Sequence, residues 1–239
     1  MRGLYLMLLA PLAGCSMAIG SEGTAGTGSG STRDFAVSGF DAVKLTGSDN
    51  VRVKIGKAFA VHAEGPSKLL DALLVERDGD TLKVGRKSRM GFSWGRSGTV
   101  TITVTMPAIV GASVTGSGDL SVDRAQGDRF KGATTGSGNL DIANLDVKTA
   151  DLSVTGSGDI AAAGKAAALA LSVTGSGDID ATRVQASGGT VSIMGSGNVN
   201  AAINGAVSVS IMGSGDADLG PRAKCSVNKL GSGNVRCGS

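Results

Sequence analysis

From residue 111 to the C-terminus, branched apolar residues alternate with Ser, Thr, Asp and Asn at a period of two. The alternation is punctuated at regular intervals by Gly-Ser-Gly-Asp or Gly-Ser-Gly-Asn, beginning at Gly116, Gly136, Gly156, Gly175, Gly195, Gly213 and Gly231. Two residues before each first glycine stand Val114, Thr134, Val154, Val173, Ile193, Ile211 and Lys229. Four residues after it stand Leu120, Leu140, Ile160, Ile179, Val199, Ala217 and Val235. A period of two marks a half-buried strand, so each repeat predicts a strand, a corner and a second strand. Both glycines fall on the inward parity, where a side chain would meet a packed interior and positive φ is available to glycine. The Ser and the Asp or Asn point outward.

The intervals between corners are 20, 20, 19, 20, 18 and 18 residues. A coil of that size cannot bury its own apolar face, but coils stacked ~4.8 Å apart share one interior and pair as parallel strands. The expectation is an all-β, right-handed, single-stranded parallel β-helix, the hand following from the general preference of parallel crossovers. Small inward residues such as Ala162, Ala181 and Ala201 predict a narrow core.

Upstream, Phe40 to Ile55 fits the same alignment as a degenerate first repeat, with Val43, Leu45, Val51 and Val53 inward and Gly47 at the corner. Residues 56–100 break the rhythm and predict a small α+β insertion. Ala60 to Ala63 reads as a short strand, Ser67 to Leu74 carries a helical stripe, and an Asp-Gly hairpin signal separates Leu74-Val75 from Leu82-Val84. Thr99 to Met106 alternates again. Between them lies a basic, aromatic stretch, Arg86, Lys87, Arg89, Phe92, Trp94 and Arg96, whose chemistry suits anionic polysaccharide, lipid headgroups or nucleic acid. A solvated hairpin tip is the simpler reading.

The N-terminus begins MRGLYLMLLAPLAGC. One Arg and a short apolar run are too short to span a bilayer, and Leu12-Ala13-Gly14-Cys15 resembles the bacterial lipobox, which implies cleavage before Cys15 and acylation there. Ser16, rather than Asp, resembles the outer-membrane default of Gram-negative lipoproteins. The organisation read from this is a signal peptide over 1–14, a lipidated tether over 15–32 and a folded domain over 33–239, with regular repeats over 111–239.

Formal charge is +3 and there are three cysteines. So small a charge implies no nucleic-acid partner. Cys225 and Cys237 lie six residues either side of Gly231 on the inward parity. They form either a disulfide closing the last rung in an oxidising compartment or two buried thiols. No metal-type cysteine or histidine cluster exists, His62 has no Ser or Cys partner, and no cofactor is expected.

The lipobox, the Phe40-to-Val53 opening and the repeated Thr-Gly-Ser-Gly-Asp/Asn motif together resemble the bacterial auto-transporter adhesin, head GIN domain family, over roughly residues 36–236. That resemblance implies a right-handed parallel β-helix in an envelope protein, and it transfers no catalytic residue. The function expected is a non-enzymatic envelope lipoprotein, acting as an adhesin or structural module. Its partners are the membrane through the anchor and either an envelope or extracellular polysaccharide or another surface protein. A polysaccharide-acting β-helix enzyme is the alternative, but it would need converging acids. A calcium-stabilised repeat is a third, opposed by one corner per coil and by Asn at 139, 198 and 234.

Overall fold

The computed structural model describes residues 23–87 and 98–238. Strands dominate: β1 (Thr32–Phe35), β2 (Ala42–Gly47), β3 (Asn50–Ile55), β4 (Ala60–Glu64), the single helical turn α1 (Ser67–Leu70), β5 (Leu73–Asp78), β6 (Thr81–Arg86), β7 (Thr101–Met106), β8 (Gly111–Gly116) and β9 (Leu120–Val122). The regular coils follow as β10 (Ala125–Gly136), β11 (Leu140–Gly156), β12 (Ile160–Gly175), β13 (Ile179–Ala186), β14 (Gly189–Gly195), β15 (Val199–Ile203), β16 (Ala206–Gly213), β17 (Ala217–Asp218), β18 (Lys224–Leu230) and β19 (Val235–Arg236). The chain is a parallel β-solenoid. Gly47, Gly116, Gly136, Gly156, Gly175, Gly195 and Gly213 are paired one above another in unbroken register.

Each coil has a third part that the alternation did not announce. After the corner and its short second strand, a return segment pairs in parallel with its neighbours, as Ala125↔Leu145 and Leu145↔Gly164 show. The register shifts between Ile142 and Leu145 mark the bend into it. Leu145, Ala150, Leu152 and Val154 all face the common interior and are buried. Full burial of a branched aliphatic side chain stabilises by about 1.5–3 kcal/mol, so the shared interior carries the stack. Thr134 is the buried polar residue of its column, and its hydroxyl has no partner.

The insertion after β3 builds another coil, beneath the first. β2 lies between β6 and β8, and β3 between β7 and β9, all parallel. The chain therefore makes the Phe40–Ile55 coil, descends to lay β6 and β7 under it, and climbs back to β8. Antiparallel β4, β5 and β1 close this end, the expected Asp-Gly hairpin joining β5 to β6. Phe40 and Phe59 pack there with ring centroids 4.8 Å apart. Folded structure starts earlier than Arg33: the Thr24 amide donates to the Val75 carbonyl at 2.7 Å, and Thr27 bridges Asp34.

Candidate functional site

The corner column is the most regular feature of the surface. The Ser137 and Gly138 amides both donate to the Gly116 carbonyl (2.8 and 2.9 Å), and the same pair of bonds recurs up the stack, as from Ser157 and Gly158 to Gly136. One donor is left, the amide of the Asp or Asn, and the side chain one coil below accepts it. Asn139 N–H donates to Asp119 Oδ1 at 3.2 Å, Asp159 N–H to Asn139 Oδ1 at 3.1 Å, and Asp178 N–H to Asp159 Oδ1 at 2.8 Å. Asn198, Asp216 and Asn234 continue the ladder upward, and Asn50 begins it by accepting from Asp119 N–H at 3.3 Å. An amide turned toward the neighbouring coil needs an acceptor there. This explains why the fourth residue is Asp or Asn: either supplies the carbonyl-type oxygen at that reach. The three Asn side chains also donate, each to the Asp below it: Asn139 to Asp119, Asn198 to Asp178 and Asn234 to Asp216, at 3.0–3.1 Å.

The second glycine of each corner is demanded first by the neighbouring coil's backbone and then by the aliphatic interior, as at Gly138, where a Cβ would meet the Gly118 carbonyl oxygen at 2.2 Å and Val114 at 2.8 Å. A Cβ on Gly158 would sit 2.1 Å from the Gly138 carbonyl oxygen. Only the first glycine of each corner has positive φ, as at Gly156 (118°), and it is half exposed, or fully exposed at Gly47 and Gly231, rather than inward. Among the described residues the corner at Gly47 differs in having no second glycine. Asp49 occupies that place in the first coil, between β6, which ends at Arg86, and β8. It is fully buried. Its carboxylate accepts Arg86 Nε (2.9 Å), Arg86 Nη2 (2.6 Å) and the Val100 amide (2.9 Å).

The basic stretch is thus divided. Arg86 is committed to Asp49, which holds the guanidinium proton even more firmly than usual. Lys87 is exposed. Arg89, Phe92, Trp94 and Arg96 lie outside the described residues, as does Cys15. At the far end, Cys225 and Cys237 are disulfide-bonded with their Cα atoms 6.3 Å apart, within the ordinary range for such a bridge. His62 Nδ1 lies 2.6 Å from Asp34 Oδ1 and Nε2 3.4 Å from Glu64 Oε1, and the hydrogen bond to Asp34 chiefly raises its pKa against a partial desolvation.

On the return segments an open groove of about 710 Å³ runs across the coils, walled by Gln126, Asp128, Lys148, Lys165 and Gln185. Its charges are spent on one another, Lys148 with Asp128 (2.7 Å) and Lys165 with Asp146 (3.3 Å). Among the described residues no group of three or more His, Cys, Asp or Glu converges as a metal site. Among them, too, no helix is long and apolar enough to cross a membrane.

Residues 39–237 match the family model described as "Putative auto-transporter adhesin, head GIN domain". The chain belongs to this family. Its solenoid superposes on the crystal structure of a putative adhesin from Bacteroides fragilis NCTC 9343, with a TM-score of 0.78, 24% identity, and coverage of 86% of this chain and 95% of that one. A putative adhesin from Parabacteroides distasonis ATCC 8503 gives 0.71 at 18% identity, covering 89% and 98%. A protein of that same strain, described as a putative lipid binding protein, gives 0.68 at 23%, covering 90% and 98%. At such identities the likeness establishes the fold. No curated protein matches this head GIN domain chain.

Proposed function

We propose that this protein is a non-enzymatic, adhesin-like component of the cell envelope, lipid-anchored through Cys15, which meets a repetitive polymer such as an envelope or extracellular polysaccharide through its corner face. Family membership supports the adhesin-like role. One observation carries the polymer reading: the corners stack in register over the whole solenoid, so that Ser117, Ser137, Ser157, Ser176, Ser196, Ser214 and Ser232 form a column of hydroxyls with one coil between each and the next. The Asp and Asn oxygens that bond the next coil are occupied and Ser214 shares a hydrogen bond with Ser232 at 3.3 Å, which leaves the serine hydroxyls of the coils below and the second carboxylate oxygens to face a ligand. A ligand that repeats along its length gains from every coil.

The test is retention of the mature protein on immobilised envelope polysaccharides. The parent is compared with a variant in which Ser137, Ser157 and Ser176 become Lys and the Asp and Asn ladder is left intact. The expected result is retention of the parent and loss in the variant. Equal retention of both, or of neither, sinks the assignment to this face. Palmitate labelling of the Cys15→Ser variant tests the anchor separately, and undiminished labelling would refute it.

A further inference from the structure

Charge is segregated along the solenoid axis. Residues 98–218 hold eleven acids against six cations, whereas Leu219 to Gly238 hold four cations, Arg222, Lys224, Lys229 and Arg236, and no acid. All four residues are exposed on the last coil. Arg236 pairs with Asp218 at 3.2 Å across two exposed side chains, and Lys229 donates to the Gly233 carbonyl at 2.7 Å. Arg222 and Lys224 have no ion-pair partner among the described residues.

Hydrophobicity changes at the same end. The outward column beside the corner is Thr46, Thr115, Thr135, Thr155 and Thr174 through the lower coils, and then becomes Met194, Met212 and Leu230. These three are 54%, 54% and 69% exposed, and Val227 on the last strand is 48% exposed. Basic residues at an open sheet edge discourage edge-to-edge pairing, but guarding an edge does not call for exposed Met and Leu beside them.

We propose that the distal end of the solenoid docks on the headgroup layer of an anionic phospholipid bilayer. The open end of a stack is roughly planar, as a bilayer surface is. Its four cations lie in one coil, where lipid phosphates can meet them together, and Leu230 with Met212 can enter the boundary between headgroups and acyl chains. The unpaired backbone of β18 limits the depth: those amides and carbonyls need water or phosphate oxygens and cannot enter hydrocarbon. Docking is therefore shallow, reversible and salt-sensitive. It does not depend on the proposed polysaccharide face or on the Cys15 anchor.

The experiment is co-sedimentation of the full chain carrying Cys15→Ser with vesicles of phosphatidylcholine, with and without phosphatidylglycerol. Expected is binding to the anionic vesicles alone, weakening as salt rises. Arg222→Glu with Lys224→Glu should reduce it by at least about 25-fold, taking about fivefold per cation near an anionic surface. Leu230→Ser should reduce it by about fivefold through lost apolar contact. Lys148→Glu with Lys165→Glu, the same charge change on the return-segment groove, should leave binding unchanged, and thermal melts check that each variant is folded. Equal binding to neutral vesicles, or equal loss in the groove variant, overturns the proposal. So does a monomer that ignores both vesicles, which would leave the cations as guards of the edge, or retention on an acidic polysaccharide or self-association in place of vesicle binding.

Discussion

The two ends of the solenoid solve one problem by different means. At the N-terminal end the chain adds material: an extra coil from β6 and β7, antiparallel strands over it, and the buried Asp49 binding Arg86 and the Val100 amide. At the C-terminal end, among the described residues, no further element covers the last coil. The last coil is tied across by Cys225–Cys237, and Lys229 stands where every other coil but one has an aliphatic residue, its ammonium on the Gly233 carbonyl. The corner column makes sense of the signs. Ser, Gly and Asp or Asn amides all point down the stack at acceptors below, so acceptors are left over at the top, where Lys229 sits, and an acid sits at the bottom. A cation at the acceptor end and an anion at the donor end is the arrangement that favours helix termini.

The largest effect is expected at the glycines. Gly158→Ala drives a Cβ into a backbone carbonyl held by the coils on both sides, and should cost at least ~3 kcal/mol in urea unfolding. Gly47→Ala meets open space and has only its positive φ of 114° to pay for, about 1–2 kcal/mol. Equal costs would mean that close approach is not what fixes the stack.

Next come the caps. Asp49→Ala strands Arg86 and a buried amide and should cost about 3 kcal/mol. Cys225→Ser with Cys237→Ser opens a short loop for about 2–3 kcal/mol. Hydrogen exchange separates the two: the first should loosen protection around β2, β3 and β6, the second only β18 and β19. Identical exchange patterns would show that the ends are not independent.

Replacing Asn139, Asn198 and Asn234 together by Asp removes three donors and lines up carboxylates. A loss of about 1 kcal/mol per site is expected, shrinking at high salt. An unchanged denaturant midpoint at low salt would contradict the ladder. Thr134→Val should instead raise stability by about 1 kcal/mol, since it exchanges an unpartnered buried hydroxyl for a methyl group.

The smallest effect is at His62. Because its folded pKa is raised, the contribution is complete below the unfolded value of about 6.5 and fades as pH rises through the folded one. Exposure keeps it slight. An NMR titration should show the His62 pKa falling in Asp34→Asn, and no change would remove Asp34 as its cause.

The corner column, the first repeat at Gly47 and the hairpin of β5 and β6 were legible because period and turn chemistry are local. Other features were hidden because they depend on stacking order. Nothing in the chain's sequence order says that β6 and β7 lie beneath a coil made before them, and so nothing says that Asp49 meets Arg86 and the Val100 amide. Parity puts the glycines at the corners but cannot distinguish the interior from the carbonyl of an adjacent coil. The return segments are hidden in the sequence because a bend after Val147 moves the next buried position to Ala150, which breaks the period of two.

Every middle coil offers the coil above it the same acceptors that it took from the coil below: one glycine carbonyl and one side-chain oxygen. Length is therefore an adjustable quantity of this architecture. Duplicating one 20-residue unit in the middle, such as residues 136–155, would move the ends apart by ~4.8 Å and require no new contact at either. The reach of the molecule could change in whole-coil increments while its two terminations stayed as they are.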